Sequence, residues 1–141
     1  MTVPADPGAA PAPSVWERLG GTDHGAPEAF ATLVDAFYDR VMVDPLLAPM
    51  YPSDPEALAE SRENLALFLI QYFGGPAIYG MKRGHPRLRM RHMPYAIGVA
   101  ERDAWLAAMD AALASVPALE PVSGELRTYF AGAADFLRNT D

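Results

Sequence analysis

Apolar residues in this chain recur at intervals of three and four, in blocks cut by proline or by glycine pairs, and that pattern admits helices and little else. From Ala26 to about Met42, the residues Ala26, Ala29, Phe30, Leu33, Phe37, Tyr38 and Val41 line one helical face. Asp54-Pro55-Glu56 reads as a cap, a first-turn proline and an acid suited to a helix start. It opens a second stripe of Leu58, Ser61, Leu65, Phe68, Leu69 and Tyr72, which Gly74-Gly75-Pro76 stops. A third helix is expected over roughly 96–115, with Ile97, Ala100, Trp105, Met109, Ala112, Leu113 and Val116 inward, before Pro117 and Pro121 break the chain. A fourth runs over about 123–138, burying Leu126, Phe130, Ala133, Phe136 and Leu137.

Shorter pieces join these four. Ser14 caps a short helix ending at Gly20-Gly21, Asp44-Pro45 opens a turn that closes near Tyr51-Pro52, and Pro86 to His92 forms another turn closed by Met93-Pro94. Residues 76–85 are expected to be a loop. Residues 1–13, rich in alanine and proline, read as a disordered tail. No segment alternates apolar and polar residues over more than a few positions, so the fold class is all-α, and a length of 141 residues suggests one domain.

Composition removes several classes of function. With no cysteine there is no disulfide, thiolate nucleophile, zinc–thiolate site or covalent haem attachment of the CxxCH kind, which fits a cytoplasmic protein. No apolar run is long enough to cross a membrane, and no secretory signal is visible at the N-terminus. A net charge of −7 argues against nucleic acid as a partner. The charge is uneven, however: Lys82, Arg83, Arg87, Arg89 and Arg91 fall within ten positions with no acid among them, and His85 and His92 lie in the same stretch. Such a run is either a solvated face or a site for something anionic.

No nucleophile elbow, HExxH or phosphate-binding glycine loop is present, and the acids are scattered. Of the three histidines, His24 sits in a glycine-rich turn and His85 in the basic loop, whereas His92 ends a segment stiffened by Pro86 and Pro94. For a single axial bond to iron His92 has no rival, since methionine is a weak ligand and tyrosine would have to ionise. A haem site needs such a base, an apolar slot and cations near the propionates. Leu65, Phe68, Leu69, Ile97 and Met109 can form the slot, and Arg91, Arg89, Lys82 and Arg83 can supply the cations. A plain helical bundle would show the same apolar stripes, so the residues alone leave both readings open.

The segment QYFGGPAIYGMKRGHPRLRMRHMPYAIGVAERDAWL, residues 71–106, resembles the haem-binding core of the group II truncated haemoglobins, and FYDRVMVDPLLAPMYP, residues 37–52, is similar to that family's second helix and following turn. The resemblance covers about residues 14–139. It implies a truncated globin fold over 14–141, a two-over-two helical sandwich around haem b, binding O2, NO and CO. It places His92 as the proximal histidine and metal ligand, and Tyr38, Tyr51 and Trp105 as the polar groups that face the ligand. Leu65, Phe68 and Leu69 become pocket wall, Ser61 stands where vertebrate globins have a histidine, and Arg91 becomes a propionate partner. The chain departs from the pattern by about two extra residues between Tyr51 and Ser61.

Donors aimed at a ligand that gains negative charge strengthen its binding by ~1–3 kcal/mol each. The resemblance with three such donors implies slow O2 release, suited to redox chemistry on the ligand (nitric oxide oxidation or peroxidase-like turnover) more than to transport. Trp105 is expected to approach from the side opposite the second helix. An unidentified reductase or electron donor would then be a partner, and a homodimer is allowed. The alternatives are a haem-based gas sensor or electron-transfer protein without turnover of its own, and a cofactor-free helical interaction module built on the 82–91 run.

Overall fold

A computed structural model describes residues 12–141. All but the last two residues of the expected tail therefore lie outside the described residues. Every element among the described residues is helical. Helix α1 (Val15–Arg18) is capped by Ser14, whose Oγ accepts from the Glu17 N–H at 3.1 Å. A 3-10 turn at Gly21–His24 leads into α2 (Ala26–Val41). Asp44 turns the chain by accepting from the Leu46 N–H at 2.8 Å, and a second 3-10 turn at Ala48–Met50 ends at Tyr51. Helix α3 (Pro55–Tyr72) starts where Asp54 accepts from the Ala57 N–H at 2.9 Å. Two short helices follow, α4 (Ile78–Arg83) and α5 (Leu88–His92). Helix α6 (Val99–Ala114), a 3-10 segment over Pro117–Val122 and α7 (Ser123–Phe136) complete the order.

The four long helices pair as α2 with α3 and α6 with α7, and the pairs meet chiefly where α2 crosses α6. This is a two-over-two sandwich. Its centre holds Phe30, Leu33, Phe37 and Val41 of α2 against Met109 of α6 and Phe130 and Leu126 of α7, all essentially inaccessible to solvent. Each such side chain contributes about 1.5–3 kcal/mol through burial. The whole expected stripe of α2 is buried. No helix among the described residues is long and apolar enough to cross a membrane.

Three expectations need correction. The stretch read as a loop over 76–85 contains α4, held from outside: Gln71 Oε1 accepts from the Gly80 N–H at 2.7 Å, and buried Tyr79 meets Phe68 edge-on at 5.5 Å. Glycine and proline weaken the local helical signal there, and tertiary contacts override it. Tyr72 and Phe136, expected inward, are 56% and 54% exposed; each lies in the last turn of its helix, and at the end of α3 the neighbouring Phe73 takes the core position instead, stacked on Phe30. Ala100, in the first turn of α6, is also exposed.

Candidate functional site

A cavity of about 590 Å³ opens between the two helix pairs. Tyr38 and Phe37 of α2, Tyr51 after the second 3-10 turn, and Ser61, Leu65, Phe68 and Leu69 of α3 form one part of its wall. His92 and Arg91 of α5, Ile97, Trp105 of α6, and Phe130 and Leu137 at α7 form the other. Its size falls within the range of small-molecule and cofactor sites.

His92 is the histidine that lines this cavity; His24 and His85 do not. Its Nδ1 lies 2.6 Å from the Leu88 carbonyl, one turn back in α5. A carbonyl can only accept, so Nδ1 carries a hydrogen, and in the neutral ring that tautomer leaves Nε2 as the nitrogen able to bind a metal. His24 instead bonds the Gly20 carbonyl at 3.1 Å, and His85 Nδ1 accepts from the Arg87 N–H at 3.0 Å. Among the described residues no group of three or more metal-ligating side chains comes together. The donor set therefore suits a metal that brings its equatorial ligands with it, as iron does in a porphyrin.

The charged rim sorts the basic run. Arg83 and Arg91 line the cavity and are in no ion pair among the described residues. Arg91 donates from Nε to the Pro86 carbonyl at 2.8 Å, which fixes the side chain and leaves its terminal amines for an anion. Lys82 is turned elsewhere: Nζ donates to Asn64 Oδ1 at 3.0 Å and pairs with Glu63 at 3.6 Å, so it does not line the cavity. Arg89 reaches the Phe136 carbonyl at 3.4 Å. Met109, proposed for the slot, is core beneath it and does not reach the cavity surface.

The polar groups of the upper wall form one aromatic cluster. Phe37 meets Tyr38, Tyr51 and Trp105 edge-on at centroid distances of 5.7, 6.5 and 5.3 Å, and Tyr38 and Tyr51 are 5.4 Å apart. Trp105 of α6 thus packs directly on Phe37 of α2. The Tyr38 hydroxyl and Ser61 Oγ share a hydrogen bond of 2.6 Å, joining α2 to α3. Burial pushes the Tyr38 phenol up, with the Ser61 bond and nearby Arg62 pulling it partly back. Burial also pushes the Tyr51 phenol up, helped by neighbouring Tyr38 and opposed by the Trp105 indole N–H, which bonds the Tyr51 oxygen. Both phenols are therefore neutral and able to donate.

Reading by sequence missed several wall residues. Tyr95, three positions beyond His92, lies in a proline-flanked stretch with no periodicity. Leu88 sits one turn before His92 on the same face of α5 and was findable by that spacing. Phe130, Ala133 and Leu137 read as simple core, yet they line the cavity where α7 turns its apolar face to it.

One imidazole with a free Nε2, apolar walls and unpaired arginines at the rim define a haem protein of single-histidine type. The model of the bacterial-like globin family matches residues 14–135. The group 2 truncated haemoglobin YjbI of Bacillus subtilis is 43% identical over 105 residues, 74% of each chain. Among solved structures, the haemoglobin of the thermophilic phototroph Chloroflexus aurantiacus is 45% identical with a TM-score of 0.81, covering 91% of this chain and 99% of that one. A truncated oxygen-avid haemoglobin from Bacillus subtilis is 36% identical with a TM-score of 0.78, covering 89% of this chain and 99% of that one. The chain belongs to the bacterial-like globins, in their group II truncated haemoglobin branch. Its cofactor is haem b, and its function at the coarse level is haem-based binding of small gas ligands such as O2.

Proposed function

We propose that this globin holds its gas ligand tightly and supports redox chemistry on it, nitric oxide oxidation or peroxidase-like turnover, more than it transports O2. Haem supplies, when bound, an iron that takes a diatomic ligand at its open position and exchanges one electron. His92 would hold that iron through Nε2, Leu65, Phe68, Leu69 and Ile97 would exclude water from it, and Arg91 and Arg83 would balance its propionates. Opposite, the chain offers Tyr38, Tyr51 and Trp105, three neutral donors gathered around one apolar ring.

That cluster carries the reading. Tyr38 shares its hydroxyl with Ser61 and so also orients its neighbours, while Tyr51 keeps its hydroxyl hydrogen for the ligand and the Trp105 N–H turns from the Tyr51 oxygen to the ligand when one binds. The related truncated haemoglobin from Bacillus subtilis is oxygen-avid, which agrees with slow release. Oxidation of nitric oxide to nitrate consumes one NO, one O2 and one electron, so an electron donor is required. Of the basic run, Arg87 and Arg89 remain exposed and in no ion pair among the described residues, on a chain of net charge −7, which favours an acidic donor protein over this region. The absence of cysteine agrees with a cytoplasmic setting.

Stopped-flow O2 dissociation on the wild type and Trp105→Phe is the test. The substitution removes one donor and keeps bulk, so release should quicken by roughly an order of magnitude, the worth of one bond of ~1–3 kcal/mol. An unchanged rate would make Trp105 pocket wall and remove the main support for ligand retention. Slow release without nitric oxide or peroxide consumption under a supplied reductant would favour the sensor reading instead.

A further inference from the structure

The segment that presents His92 has almost no core of its own. Helix α5 is five residues long with no buried side chain. It is preceded by Arg87, its N-cap and the one non-glycine among the described residues with positive φ, at 47°. Met93, Pro94 and Tyr95, which follow His92, are exposed. A single helical turn does not hold itself together in water. Something outside the segment must fix it, and the hydrogen bonds converge on one side chain.

That side chain is Asn139, just beyond α7. Its Oδ1 accepts from the Ile97 N–H at 2.8 Å. Its Nδ2 donates to the Tyr95 carbonyl at 2.8 Å and reaches the His92 carbonyl at 3.4 Å. Its backbone N–H donates to the Ile97 carbonyl at 2.9 Å, joined there by the Thr140 N–H at 3.2 Å. Only this orientation of the amide gives every group a partner of the right kind. The closure is tight: a Cβ on Gly98 would stand 2.7 Å from the Asp141 carbonyl oxygen and 3.0 Å from Thr140 Oγ1. The anchor is firm, because Leu126 and Phe130 seat α7 in the core, and Arg89 of α5 adds its contact to the Phe136 carbonyl and lies 5.5 Å over the Phe136 ring.

We infer that Asn139 is a positioning residue for the proximal base, a clasp that fixes the His92–Ile97 backbone and through it the aim of the imidazole; this rests on His92 as the iron ligand. The ring and the backbone of His92 are held at separate points, the ring by Leu88 and the backbone by Tyr95 and Asn139. Asparagine suits the place because one short side chain carries both an acceptor for Ile97 and donors for the two carbonyls. Aspartate would keep the first and lose the second; alanine would lose both.

The test compares Asn139→Ala and Asn139→Asp with Ser14→Ala, which removes a distant helix cap and sets the effect of plain destabilisation. Hydrogen exchange on the apoprotein should show the Ile97 amide deprotected in Asn139→Ala and protected in Asn139→Asp and Ser14→Ala. In the haem-loaded protein, transfer of haem to an apo-acceptor should quicken about tenfold in both Asn139 variants, as expected from one or two net hydrogen bonds, and the ferrous iron–histidine stretching band should shift. Ser14→Ala should leave the band in place. An unmoved band and transfer rate in both Asn139 variants would overturn the proposal, as would an Ile97 amide that stays protected in Asn139→Ala. A missing iron–histidine band in the unsubstituted protein would instead strike the His92 assignment, while the apoprotein exchange would still decide whether the clasp exists. If Asn139→Ala does not fold, Asn139→Asp alone decides through the band and the transfer rate.

Discussion

The two sides of the pocket are built by different physics. On the α2–α3–α6 side, Phe37, Tyr38 and their aromatic neighbours are packed into the core and fixed by apolar burial. On the α5 side, a five-residue helix without a buried side chain is fixed by hydrogen bonds from Leu88, Pro86 and Asn139. The difference teaches where each kind of damage should appear. Disturbing the first side costs the fold; disturbing the second costs the cofactor and leaves the fold standing.

The largest effect is expected at Phe37. It is fully buried and touches all three polar rings of the upper wall, so Phe37→Ala removes their common support as well as apolar area. Denaturant unfolding of the apoprotein should show a loss of about 3–5 kcal/mol, the usual cost of such a cavity. A loss under ~1 kcal/mol would mean that the aromatic cluster is not what holds this side together.

A smaller and different effect is expected at Arg91. Arg91→Ala removes a partner for an anionic edge and the brace to Pro86, so haem should transfer to an apo-acceptor several-fold faster while the apoprotein melts as before. An unchanged transfer rate would show that the basic run serves another purpose. A lowered melting point would erase the contrast between the two sides.

The smallest effect is spectroscopic. Of the six tyrosines, Tyr38, Tyr51 and Tyr129 have phenols raised by burial above the ordinary 10.0, Tyr129 to about 12. Above pH 10 the unfolded chain loses phenolic protons that the folded chain retains, so stability falls as pH rises from about 10 towards 12. Below that window these groups contribute no pH dependence. Alkaline titration of phenolate absorbance should show these three ionising late or only on unfolding; a single normal transition for all would contradict their burial.

Much of this was legible in the chain. The four long helices, the whole stripe of α2 and the caps Ser14 and Asp54 follow from local spacing and local hydrogen bonds, and the stripes of α3, α6 and α7 hold except at Tyr72, Ala100 and Phe136 near the helix ends. What escaped depends on partners distant in sequence. Helix α4 needs Gln71 and the burial of Tyr79. Lys82 looks like a free cation until Glu63 and Asn64 of α3 take it up. Ser61 was placed in the pocket by the resemblance, but its bond to Tyr38, 23 positions away, was not visible. Asn139 gives no signal at all, since its role lies wholly in carbonyls and an amide some forty residues earlier.

The central claim is that His92 alone ties iron to this chain. The most direct measurement is the absorption spectrum of the reduced protein, with and without CO, for the wild type, His24→Ala, His85→Ala and His92→Ala. The wild type and the first two variants should show a ferrous spectrum of one-histidine, five-coordinate haem whose Soret band shifts on adding CO, and His92→Ala should purify without stable haem or with altered ligation on an otherwise helical fold. Full haem occupancy with an unchanged reduced spectrum in His92→Ala, or a bis-histidine spectrum in the wild type, would contradict the account.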